Sequence, residues 1–211
     1  LEHLVFKGTK KRNAREIASC LESLGGNLDA YTTREYTCYS ANVLETDVEL
    51  ALDVLADLAL NPQLRAIDFE LERKVVLEEM KGVNDTPDDH IFDEHAKGFW
   101  AGHSYGLPIM GTSETISSMS VENLRDFRRD RYCVNDMLIA CSGNFDQDLL
   151  VKQTKDLFDA HPEGKSSAEV NCPTEAVSGQ KHIQRDISQT HLVLANRVSD
   201  ESAPDRDALI I

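Results

Sequence analysis

The chain has 211 residues, 41% of them hydrophobic, and a formal net charge of −15 at pH 7. That is enough to bury the core of one sizeable domain. The acidity excludes a general attraction to nucleic acid or anionic membrane surfaces and favours basic peptides as partners. No stretch approaches about 18 uninterrupted apolar residues, so no transmembrane helix is expected.

In chain order, the first helix stops at Lys7-Gly8, a basic last-turn residue followed by glycine. Asn13 caps a second helix with Ile17, Leu21 and Leu24 on its apolar face, ended by Gly25-Gly26. Residues 27–32 and 36–43 alternate and are rich in Tyr and Thr, which predicts a hairpin. Asp47 opens a helix with Val48, Leu52, Leu55 and Ala59 on its buried stripe, closed before Pro62. A long helix over 66–81 and another from Pro87 to Trp100 follow, then a glycine-rich loop over 101–112. Ser120-x-x-Asn123 starts a basic helix ending near Tyr132. Short strands are predicted at 137–142 and 191–198, a helix at 145–160, a linker at 161–180 and a further helix after Pro204. This pattern predicts an α+β fold, helices packed on one face of a largely antiparallel sheet. The start at Leu1 without Met and the apolar run over 208–211 lead to the expectation of a domain cut at both ends. The expected segments are 1–118, carrying the site, and 119–211.

Five cysteines, Cys20, Cys38, Cys133, Cys141 and Cys172, are odd in number and lack C-x-x-C spacing. They indicate neither a disulfide framework nor a cysteine zinc site, and fit reduced thiols in a cytoplasmic setting. His90, His95 and His103, spaced by five and eight, do not share one helical face, so no metal site is expected there. Ser142 and Ser178 lack a nucleophile-elbow context.

Glu2 directly precedes His3 on an apolar helix. That dipeptide is what remains of His-x-x-Glu-His when the first His lies two residues before Leu1. In that motif two imidazoles one turn apart grip one Zn²⁺ while the Glu reaches the attacking water. A catalytic zinc needs a third protein ligand, and the long helix offers Glu70, Glu72, Glu78 and Glu79.

Leu1-Glu2-His3-Leu4-Val5-Phe6-Lys7-Gly8-Thr9 resembles the active-site helix of the insulinase and pitrilysin family of zinc metallopeptidases. Gly25-Gly26-Asn27-Leu28-Asp29-Ala30-Tyr31-Thr32 is similar to that family's hairpin, and Glu72-Arg73-Lys74-Val75-Val76-Leu77-Glu78-Glu79 to the helix with its third ligand. Gly102 to Thr112 is similar to the loop that follows. The resemblance implies a zinc endopeptidase of the processing-peptidase type, acting on extended peptides. Its ligands would be His3, Glu79 and the upstream His, with Glu78 as fallback. Glu2 would be the general base, and Glu72 would orient a ligating imidazole. Asp29, Ala30 and Tyr31 would form the strand that holds substrate, Asp29 standing where Asn is commoner. The family also closes a second homologous half over the peptide, and with one His ligand absent and the domain cut the segment by itself is expected to be inactive. The alternative is a non-catalytic homologue that pairs with an active subunit or binds substrate.

Overall fold

The computed structural model describes residues 1–159, 161, 173, 175–198, 203–204 and 206–210. Two compact units emerge, Leu1–Glu78 with Thr112–Val170, and Glu79–Gly111 with Asn171–Ile211.

The first unit opens with a one-turn helix, α1 (Glu2–Val5), capped by Phe6 and so shorter than the expected stop at Lys7-Gly8, where Gly8 adopts φ +139°. In α2 (Ala14–Glu22) the cap is reciprocal: Asn13 Oδ1 accepts the Glu16 N–H at 3.0 Å, and Glu16 Oε2 accepts the Asn13 N–H at 2.7 Å. Strands β1 (Asn27–Thr32) and β2 (Thr37–Asn42) form an antiparallel hairpin in the register Ala30 opposite Tyr39. Gly26 enters it because a Cβ there would stand 2.8 Å from Asn42 O and 2.9 Å from Val43 Cγ1. The helix α3 (Val48–Leu60) and the first part of α4 (Ala66–Asp85) follow. Later come α6 (Ser113–Ser118), α7 (Val121–Arg131) and α8 (Gln147–Phe158).

Leu28 and Tyr39 lie on one face of the hairpin and pack against Val5, Ile17, Val54 and Leu58. The helices α1, α2 and α3 therefore cover that face, and the α+β class holds. A second cluster joins Leu4, Leu64, Phe69 and Val121. From α7, Arg128 donates to Leu60 O, so a cation sits on the carbonyl end of α3, and Arg125 Nη2 donates to Leu64 O at 2.9 Å in the connection before α4.

The second unit contains α5 (Pro87–Phe99), with proline in its first turn, and α9 (Arg206–Ile210). Trp100, Tyr105 and His103 pack edge to face, and His95 stacks on Phe99. Residues 177–191 tie back to α5 through Val177 N to Phe99 O at 2.9 Å, a Lys181–Glu94 ion pair and His191 Nδ1 to Asp88 Oδ1 at 2.6 Å.

Three sequence expectations are corrected. The sheet among the described residues has two strands, and 137–142 and 191–198 carry no ladder. Leu138 there is 94% exposed and Leu192 and Leu194 are also exposed. Alternation makes a strand only where a partner takes its hydrogen bonds. The core stripe of α3 is Ala51, Val54 and Leu58 together with Leu52, because the helix is buried on more than one side. Leu24 is 42% exposed, since α2 ends at Glu22 and leaves it in the turn. Most of the expected linker at 161–180, and Cys172 with it, lies outside the described residues.

Candidate metal centre and substrate strand

α1 is wedged between two cores: Leu4 enters the cluster with Phe69, and the next residue, Val5, enters the cluster with Ile17 and Val54. Its exit is pinned by a buried polar network. Thr9, 2% exposed, donates through Oγ1 to Asp57 Oδ2 at 2.6 Å and accepts the Arg12 N–H at 2.9 Å and the Lys11 N–H at 3.1 Å. Arg12 Nη1 donates to the same Asp57 oxygen at 2.9 Å while Nη2 pairs with Asp53, which also holds Lys11 Nζ at 3.0 Å. Burial works against the Arg12 charge, but the bonds to Asp53 and Asp57 win and hold its pKa above the ordinary value.

With Leu4 seated on Phe69, the residue before Leu4 and the residue one turn after Phe69 face each other. His3 Nδ1 lies 3.0 Å from Glu72 Oε2, and Lys7 Nζ lies 2.8 Å from Glu72 Oε1. The Glu72 side chain is buried; burial pushes its pKa up, yet the bonds from Lys7 and His3 outweigh that and keep it below the usual carboxylate value. An ionised Glu72 draws the imidazole proton to Nδ1 and so fixes the orientation of the His3 ring. On the other side of α1, Glu2 Oε2 accepts a hydrogen bond from Thr32 Oγ1 at the end of β1. Beneath, the Tyr39 hydroxyl meets that of Tyr132 at 3.3 Å, and its pKa is driven well up by burial first, then by Tyr132, with the Glu2 charge adding to it.

Glu78 and Glu79 are both exposed on α4. Glu79 follows Glu72 by seven residues, two turns on one face, whereas Glu78 is rotated from it by about 100°. Among the described residues no group of three or more His, Cys, Asp or Glu side chains is arranged to hold a metal. By residue type alone, His3 and the carboxylates of α4 are nitrogen and oxygen donors of the kinds a catalytic zinc takes. His103 is engaged differently, its Nδ1 accepting the Tyr105 N–H at 3.2 Å.

Thr33 donates its N–H to Tyr36 O at 2.8 Å, which makes that pair hydrogen-bonded and sets the parity of the ladder. By alternation Asp29 and Tyr31 bond to β2, and Leu28, Ala30 and Thr32 direct their N–H and C=O groups to the outer edge. The Asp29 and Tyr31 side chains are exposed on the face away from the core, with the Tyr31 ring edge to face with Tyr36 at 6.1 Å.

Sequence reasoning missed Lys7 and the Thr9–Asp57–Arg12–Asp53 network. The available signal was an Asp inside the apolar run Leu55-Ala56-Asp57-Leu58-Ala59-Leu60, a charge that burial tolerates only when it is partnered.

The model of the insulinase family (peptidase family M16) matches residues 1–113, and that of the peptidase M16 inactive domain matches residues 118–211. An uncharacterized zinc protease of Mycobacterium leprae is 38% identical, over 100% of this chain and 48% of its own length. The uncharacterized zinc protease YmxG of Bacillus subtilis is 37% identical, over 92% of this chain and 47% of its own. The chain thus spans about half the length of the curated relatives it matches. Among solved structures it is similar to a protease from Helicobacter pylori, with a TM-score of 0.73 and 22% identity over 82% of this chain and 42% of that one. Pitrilysin gives a TM-score of 0.70 with 26% identity, over 83% of this chain and 19% of that one. With both models together running along nearly the whole sequence, the chain belongs to the insulinase family, peptidase family M16.

Proposed function

We propose that this chain is the metal-binding part of a zinc-dependent endopeptidase of the processing-peptidase type. The observation that carries the reading is the His3–Glu72 bond of 3.0 Å next to Glu2, an imidazole held in one tautomer beside a carboxylate suited to proton transfer. His3, Glu79 and a histidine two residues before Leu1 are the proposed ligands. When bound, Zn²⁺ polarises the scissile carbonyl and lowers the pKa of water to about 7. Glu2 takes the proton of the attacking water and delivers it to the leaving amine. Glu72 fixes the His3 ring, and Lys7 fixes Glu72.

The outer edge of β1 receives an extended peptide, main-chain groups at Leu28, Ala30 and Thr32 giving affinity without sequence preference. Net acidity and Asp29 favour basic peptides. A second homologous half completes the closed chamber, and the thiols of Cys20, Cys38, Cys133 and Cys141, all free, suit the cytoplasm. No helix among the described residues is long and apolar enough to cross a membrane. Glu2, His3 and Glu79 occurring together favour an enzyme over a non-catalytic partner homologue.

The test is metal analysis of the full-length protein. His3→Ala and Glu79→Gln are each expected to lose zinc; stoichiometric zinc in either variant would remove that residue from the ligand set.

A further inference from the structure

Resting on the reading of β1 as the substrate strand, we infer that Asp29 is a latch on that strand, occupying the hydrogen-bonding position a substrate must take. Ala30 pairs with Tyr39 at a position whose N–H and C=O point away from β2. Its N–H is nevertheless satisfied: it donates to Asp29 Oδ1 at 2.9 Å. The exposed Asp29 side chain thus folds back over its own strand edge and covers the N–H in the middle of the edge's Leu28, Ala30, Thr32 set.

Two consequences follow. An open edge is a template for any other strand, and a carboxylate lying on it repels indiscriminate pairing. A peptide that docks must bring a carbonyl oxygen to the Ala30 N–H and displace Asp29 Oδ1 from it. Part of the new hydrogen bond then only replaces an old, charge-assisted one, so each docking event is weakened by the latch. The displaced carboxylate stays beside the bound strand, where it favours a basic side chain and disfavours an acidic one. Asp29 therefore sets both the threshold for docking and the charge preference at one substrate position. An Asn at this place keeps an acceptor oxygen but loses the charge, and gives a weaker latch.

The experiment measures the Kd of a labelled, electrically neutral extended peptide for the full-length protein by fluorescence anisotropy, which requires no turnover. A neutral peptide removes the direct charge effect. Binding is expected to tighten about twofold in Asp29→Asn and about fivefold in Asp29→Ala, the latter matching the net worth of one backbone hydrogen bond. A parallel series replaces each peptide amide by an ester, which deletes an N–H and weakens a carbonyl acceptor. At least one ester position is expected to weaken binding to the wild type, and the loss at the carbonyl facing Ala30 should grow in Asp29→Ala. If an ester position matters but Asp29→Ala binds the peptide no tighter than wild type, the latch is overturned and β1 remains the substrate strand. If no ester position matters in either protein, β1 does not hold substrate and the latch falls with it.

Discussion

Replacing Asp57 by alanine removes the carboxylate on which the exit of α1 is pinned. Its side chain is 1% exposed and its Oδ2 receives both Thr9 Oγ1 at 2.6 Å and Arg12 Nη1 at 2.9 Å. Breaking a buried ion pair by deleting one partner costs about 3–5 kcal/mol. Arg12 keeps Asp53 as a partner, which puts the expected cost at the lower end of that range, about 3 kcal/mol. Loss of the acceptor for the Thr9 hydroxyl adds about 1 kcal/mol, for a total near 4 kcal/mol. Thr9→Val removes the same hydrogen bond together with the acceptor of the Lys11 and Arg12 N–H groups and should cost about 2–3 kcal/mol, the double variant falling short of additivity by about 1 kcal/mol for the shared bond. The assay is urea denaturation of the full-length protein, followed through the transition that these variants shift. A loss below about 1 kcal/mol in Asp57→Ala would refute the reasoning. It would mean that desolvation of the carboxylate already cancels what its partners contribute.

Glu72→Gln should weaken zinc binding about 10–100-fold without unfolding the chain, because the imidazole loses the carboxylate that orients it and sets its basicity; an unchanged zinc Kd would contradict the assignment. Acid should destabilise the first unit through Asp53. Burial raises its pKa, but the bonds from Arg12 and Lys11 outweigh that and hold it below the ordinary 3.8. A depressed folded value contributes stability that is fully present above about pH 4 and is lost as pH falls through the lower folded value. Asp53→Asn should therefore flatten the acid limb of the stability curve, and an unaltered limb in a urea series from pH 6 to 2.5 would disprove it.

Much of the fold was legible wherever the signal was local. The Asn13 cap and the Pro87 start are chemistry within one turn of chain, and the structure places helix ends there, whereas the first helix ends at Val5, ahead of the expected Lys7-Gly8 stop. The hairpin was legible because its alternation and its turn lie within about fifteen residues. What failed depended on distant partners. Residues 137–142 and 191–198 have strand-like composition, but among the described residues no neighbouring strand takes up their hydrogen bonds. The inner face of α3 could not be read from periodicity, since a helix buried on several sides has no single stripe. At the candidate site, Glu2 and His3 stood out as the remnant of a motif, while only the family resemblance singled out Glu72 and Glu79 among the carboxylates of the long helix. The Lys7 clasp on Glu72 and the Thr9–Asp57 bond span 65 and 48 positions, and nothing in the intervening sequence announces them.

In the proposed mechanism Glu2 moves the proton while His3 and Glu79 hold the metal. The most direct measurement is zinc content together with kcat for Glu2→Gln in the full-length protein, assayed on an extended peptide. Wild-type zinc with kcat reduced by at least about 10²-fold is the expected result. Full activity in Glu2→Gln, with zinc retained, would contradict it.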